Sequence, residues 1–164
     1  METKDMEQSP MFAKPQKEHE WLQKFVGEWT SEMHAMMPDG ESQSCPGSES
    51  VRSMSGMWIV AEGKGSMPDG DPTTMLLTLG YDPKKGYVGS WVGSMMGQLW
   101  TYEGTLEGNK LTLSAEGPRF DGEGTALYHD IHEFVDDNHR IMRSEVKGDD
   151  GNWTEFMVAH YHRK

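Results

Sequence analysis

At 164 residues the chain has the length of one domain, and its 27 acidic side chains outnumber 15 basic ones, for a formal net charge of -12. Such a surface repels phosphate backbones and anionic headgroups, so neither nucleic acid nor a membrane is expected as a partner. With 35% hydrophobic and 10% aromatic residues, six of them Trp, there is still enough bulk for a core. Cys45 is the single cysteine, which excludes an intrachain disulfide and a thiolate-held metal centre. Met1 to Lys17 is polar and holds no apolar leader, so the reading is a cytoplasmic protein.

Residues 1–14, polar and Met-rich, read as a flexible N-terminal arm, and residues 15–164 as a single domain. Trp21, Leu22, Phe25 and Val26 recur at helical spacing between Pro15, suited to a first turn, and Gly27, suited to the position past a helix end. This predicts one short helix over 15–26. Beyond Gly27, apolar and polar residues alternate in short stretches, predicting strands near 28–36, 49–56, 57–64, 74–81, 86–94, 97–106, 109–116, 124–135, 139–147 and 152–163. Turn chemistry separates them at Asp39-Gly40, Asp69-Gly70, Asp82 to Gly86, Gly108-Asn109, Asp121-Gly122, Asp136 to Asn138 and Asp149 to Gly151. The Ser, Gly and Pro content of Pro38 to Ser50 predicts a flexible loop over a barrel mouth.

Many strands joined by short turns, with hardly any helix, make an antiparallel up-and-down meander. Closing it into an all-β barrel removes its two open edges. A two-layer sandwich has the same alternation and is the competing architecture. Gly27-Glu28-Trp29, at the passage from helix to first strand, would set an indole across the closed end. The terminal Tyr161-His162-Arg163 would meet it there, Arg163 stacking on Trp29 where the first and last strands join.

The stretch Leu79-Gly80-Tyr81-Asp82-Pro83-Lys84-Lys85-Gly86-Tyr87-Val88-Gly89-Ser90-Trp91-Val92-Gly93-Ser94-Met95, with Val26-Gly27-Glu28-Trp29-Thr30 and Tyr161-His162-Arg163-Lys164, resembles the uncharacterised bacterial family DUF1579 from about His19 to the end. That resemblance implies a calycin-like, lipocalin-like barrel and no established activity. Where that family usually carries an Asp this chain has Gly93, so no role for that carboxylate carries over.

Alternation puts Trp153, Glu155, Met157, Ala159, Tyr161 and Arg163 on one face of the last strand. Similar mixed faces are Trp58, Val60 and Glu62; Tyr87, Gly89, Trp91 and Gly93; and Tyr128, Asp130, His132 and Phe134. Aromatic walls with a few polar handles are the usual form of a small-molecule pocket. Trp29, Trp58, Glu62, Trp91, His132, Glu155, Tyr161 and Arg163 are therefore the expected ligand-binding residues. The fourteen Met residues suit either a deformable pocket or a core in which Met replaces Leu.

No metal site and no cofactor are expected. His129 and His132 would point to opposite faces of a strand, while His160 and His162 share one near the carboxyl terminus, where solvation is the plain reading. Barrels of the nitrobindin type hold haem through one His, and His160 is the positional candidate. The Gly-rich continuation after Gly-x-Trp in those proteins is replaced here by Thr30-Ser31-Glu32-Met33, so tight haem binding is not expected. There is no Gly-x-Ser-x-Gly elbow, phosphate loop or His-Glu-x-x-His. The leading expectation is a barrel that encloses a small apolar molecule. The alternatives are an enzyme on that scaffold, through haem or a lumenal carboxylate with His132, and a non-catalytic module forming a homodimer through an outer sheet face.

Overall fold

The computed structural model describes residues 11–36 and 40–164. After a short helix α1 (Lys17–Leu22) and a 3-10 turn (Gln23–Phe25) come β1 (Gly27–Met36), β2 (Ser42–Met54), β3 (Trp58–Ser66), β4 (Pro72–Asp82) and β5 (Gly86–Gly93). The chain continues through β6 (Trp100–Glu107), β7 (Lys110–Pro118), β8 (Thr125–Asp136), β9 (His139–Lys147) and β10 (Trp153–Arg163). Every strand pairs antiparallel with its sequence neighbours, and β1 pairs with β10 to close the barrel. The meander order is therefore observed, and the sandwich is excluded. Of the expected arm, residues 1–10 lie outside the described residues.

The helix starts where Gln16 caps it: the Gln16 backbone N–H donates to His19 Nδ1 at 2.9 Å. It ends earlier than the sequence periodicity predicts, because Gln23–Phe25 tighten into the 3-10 turn before the chain extends at Val26. Gly27 then takes φ 139°, and a Cβ there would lie 2.4 Å from Arg163 Nη1. Only glycine fits both that dihedral and that guanidinium.

The hairpins are set by acidic turn residues. Asp69, Asp82, Asp121, Asp136 and Asp150 each accept a hydrogen bond from the backbone N–H two residues on, at 2.8–3.0 Å. This local bond mimics a backbone turn and makes tight connections cheap. Asp39 of the expected Asp39-Gly40 turn lies outside the described residues.

One expectation is corrected. From Ser42 onward the predicted loop at 38–50 is part of β2, paired with β1 from Ser42↔Met36 to Val51↔Gly27; Pro38 and Asp39 lie outside the described residues. Within Ser44, Cys45, Pro46 and Gly47 only Cys45 and Gly47 face the lumen, where they are half-buried rather than packed in a core, so no apolar alternation marks the strand. Pro46 is tolerated because register with β3 begins only at Ser48, leaving the proline on an unpaired flank.

The core lies at the helix end of the lumen. Leu22, Phe25, Trp29, Val51, Ile59, Leu79, Tyr87, Leu111, Leu113 and Phe134 are buried there. Aromatic edges lock the helix down: Phe25 meets Phe134 at 5.0 Å and Trp21 meets Phe134 at 5.7 Å between ring centroids.

Candidate ligand-binding lumen

The two ends of the barrel differ. Under the helix, inner-face residues such as Trp29, Ile59, Leu79 and Leu111 have no exposed surface. Toward the other end the inward positions Ser31, Met33, Cys45, Gly47, Trp91, Trp100, Met142 and Met157 are only half-buried. The lumen is thus sealed at one end and open at the other.

Its closed floor is charged. Arg140, 1% exposed, lies over the rings of Tyr161 at 3.9 Å, Trp29 at 4.8 Å and Phe25 at 5.0 Å, and pairs with Glu49 of β2. A guanidinium can be buried here because three aromatic faces and a carboxylate replace its water. His132 is buried beside Phe25, its Nδ1 without a hydrogen-bond partner. Burial, with the Arg140 charge nearby, pushes its pKa down to about 3, so the ring is neutral. The Tyr161 phenol is held protonated by burial and by the Glu49 charge.

Above this floor, β6, β8 and β9 bring together three polar groups. Tyr102 Oη donates to Asp130 Oδ2 and Ser144 Oγ donates to Asp130 Oδ1, each at 2.5 Å. Burial raises the Asp130 carboxyl above the usual range, against the pull of those two bonds. Burial and the Asp130 charge likewise raise the Tyr102 phenol. While Asp130 is ionised both hydroxyl protons point at it, and the cluster then presents only oxygen lone pairs to the lumen.

Aromatic side chains line the mouth. Trp100 packs edge to face on Tyr128 at 5.1 Å, and Phe120 and Phe156 continue the group at 5.0 Å from each other. The Trp100 indole lies on Gly117, where a Cβ would come within 2.1 Å of the ring. Trp91 is the register partner of Trp100.

Of the predicted site residues, Trp29, Trp91, His132 and Tyr161 point inward, but Trp29 is wholly enclosed and belongs to the core. Arg163 seals the helix end, donating to Val26 O at 2.6 Å, Lys24 O at 2.9 Å and Asp137 O at 3.0 Å. Trp58, Glu62 and Glu155 are corrections, since all three lie on the outer wall. Trp58 covers Gly80, and Glu62 sits 3.8 Å from Arg52. Glu155 was expected to share the face of Tyr161, but a bulge at Phe156 intervenes. Glu155 pairs with Glu145 and Met157 with Ser144, so the alternation inverts and Glu155 meets Arg143 outside at 3.1 Å. His160 also points outward, which removes it as a ligand for any group held in the lumen.

Sequence reasoning missed Glu49, Tyr102, Arg140 and Ser144, and placed Asp130 on the right face without assigning it a role. The available signal was polar residues at core positions, Asp130 between Tyr128 and His132, and Arg140 in phase with Ser144.

The family of proteins of unknown function DUF1579 matches residues 14–163. The chain belongs to this family. No curated protein matches its sequence. Among solved structures, Rv2717c from M. tuberculosis is similar over 92% of this chain and 99% of its own, with 9% identity and a TM-score of 0.63. The S-type phycobiliprotein lyase CPES from Guillardia theta has 14% identity over 92% of this chain and 98% of its own, at TM-score 0.59. The barrel EF1p2_mFAP2b, solved bound to DFHBI, has 14% identity over 89% of this chain and 98% of its own, at 0.50. These likenesses establish the calycin-like barrel of the DUF1579 chain and nothing finer. Among the described residues, no helix is long and apolar enough to cross a membrane.

Proposed function

We propose that this DUF1579 protein is a binding protein that takes a small, flat, largely apolar molecule into the wide end of its barrel. The observation that carries this reading is the gradient along the lumen, from a sealed floor to a partly exposed aromatic mouth at Trp91 and Trp100, with Tyr128 buried behind Trp100. The Tyr102–Asp130–Ser144 cluster refines the ligand class. It offers acceptors alone, so the ligand group that satisfies it is an N–H donor, an aromatic amine or a nitrogen heterocycle. A similar barrel, EF1p2_mFAP2b, holds DFHBI, a precedent for a small ligand on this scaffold. We place the protein in the cytoplasm on the strength of its one free cysteine, Cys45.

The test uses two probes with one ring system, 1-aminoanthracene and anthracene-1-carboxylate, titrated by fluorescence. The amine should bind with enhanced emission and the carboxylate at least about tenfold more weakly, since an anion facing the Asp130 acceptors loses on the order of 1.4 kcal/mol or more. Asp130→Asn should erase that preference, and Ser31→Trp, which fills the half-exposed inner wall, should abolish both. Binding that survives Ser31→Trp places the ligand outside the lumen and refutes the reading.

A further inference from the structure

A group of imidazoles lies on the outer wall at the seam between β9 and β10, one strand from the closure with β1. Residues two apart on a strand share a face, so β10 presents His160 and His162 together. On the next strand His139 is the register partner of His162. Its ring stacks on His162 at 4.4 Å between centroids, and its Nε2 lies 3.1 Å from Nδ1 of His160. On the other side Glu32 of β1 is the register partner of His160, and its carboxylate lies 3.6 Å from His34 Nε2.

We propose that His139 Nε2 and His160 Nδ1 chelate one divalent transition-metal ion of the Cu²⁺ or Zn²⁺ class at this seam. Two imidazole nitrogens bound to one ion at about 2.0–2.1 Å stand roughly 2.9–3.4 Å apart for angles between square and tetrahedral. The observed 3.1 Å lies within that span. Ring centroids 5.4 Å apart put both nitrogens on the line between the rings, so each imidazole must swing its lone pair off that line to meet one ion in place of the shared proton. Ladder hydrogen bonds on both sides of β10 fix the two backbones, so binding asks only for rotation of the two side chains. Among the described residues no group of three His, Cys, Asp or Glu side chains forms a complete metal site, so solvent fills the remaining positions. His162 and Glu32 are the nearest groups that a side-chain rotation could add. Imidazole donors favour Cu²⁺ over Zn²⁺, and the acidic chain draws cations in either case. This site is independent of the lumen, whose inner face lies on the other side of the sheet.

The experiment is isothermal titration of the full chain with CuCl₂ and with ZnCl₂ in a non-chelating buffer, joined to electron paramagnetic resonance of the Cu²⁺ form. One ion per chain is expected, tighter for Cu²⁺, with two equatorial imidazole nitrogens in the spectrum. His139→Ala and His160→Ala should each weaken binding at least about tenfold, the range already seen for lost supporting contacts around a metal. His129→Ala, whose ring stacks on Trp153 elsewhere on the outer wall, should leave the affinity unchanged. Circular dichroism melts of the metal-free variants establish that they fold, and bound metal should raise the melting temperature of the parent chain but not of His160→Ala. Absence of a one-to-one complex, a spectrum with fewer than two imidazoles, or binding that survives both alanine variants overturns the proposal.

Discussion

The guanidinium of Arg163 lies 4.2 Å above the indole of Trp29, its register partner across the strand pair that closes the barrel. The same group donates to Val26, Lys24 and Asp137 carbonyls, tying β10 to the helix exit and to the β8–β9 turn. Trp29 answers from below, donating from Nε1 to Phe25 O at 2.8 Å. Trp29→Ala should cost about 3–5 kcal/mol through the cavity it leaves. Arg163→Ala should cost about 2–3 kcal/mol, because several charge-assisted hydrogen bonds go with the stacking. The double variant should lose less than the sum by at least about 0.5 kcal/mol in a urea denaturation cycle. Strict additivity would mean the two residues do not support one another.

The buried Glu49–Arg140 pair predicts an asymmetry between breaking and replacing. Arg140→Met leaves Glu49 facing an apolar floor, and Glu49→Leu leaves a guanidinium with only aromatic faces around it. Each single change should cost about 3–5 kcal/mol. Glu49→Leu combined with Arg140→Met should recover most of that loss. Chemical denaturation of the three variants measures it, and a double variant as unstable as the singles would show that the pair contributes chiefly through its stacking.

His132 predicts how the fold responds to acid. Its folded pKa of about 3 lies below the ordinary value of 6.5, so between those limits the unfolded chain binds the extra proton. Its contribution to stability is therefore fully present above pH 6.5 and is lost as pH falls toward 3, with a slope approaching about 1.4 kcal/mol per pH unit. His132→Phe should leave stability at pH 7 within about 1 kcal/mol, since the unpartnered Nδ1 is also removed, and should flatten the slope below pH 6. Asp130 acts with the opposite sign. Its raised carboxyl favours the folded state at acid pH and loses that advantage as pH rises beyond the ordinary carboxylate range. Urea midpoints of His132→Phe and Asp130→Asn between pH 4 and 7 separate the two slopes.

Gly80 and Trp58 make a contact on the outer wall that only a hydrogen at Cα allows. A Cβ on residue 80 would lie 2.5 Å from the Trp58 ring. Gly80→Ala should cost about 1–3 kcal/mol, with the half-exposed indole lifting off the sheet and its fluorescence moving to longer wavelength. In a Trp58→Ala background the same substitution should cost far less. An equal penalty in both backgrounds would trace the effect to the strand backbone instead.

Most of the fold was legible in the linear order of residues because the interactions that set it are local. Gly, Asp and Asn at fixed offsets turn the chain, and alternation within each segment names the strand, so Asp82 to Gly86 and Asp136 to Asn138 could be placed without knowing what they face. Trp29 and Arg163 could be paired because a closed meander must bring its first and last strands together. Which face of each strand turns inward was not local. It depended on register and on one extra residue, Phe156, whose bulge sent Glu155 outward, while Trp58 and Glu62 obeyed alternation on the solvent side. β2 was misread from Ser42 to Gly47 because its lumen-facing residues Gln43, Cys45 and Gly47 meet an open lumen rather than a core while its outer face is polar, and no hydrophobic signal marks such a strand. The Tyr102–Asp130–Ser144 cluster and the His139–His160 pair each join residues of different strands. Only the closed sheet decides that their oxygens and nitrogens lie within bonding distance.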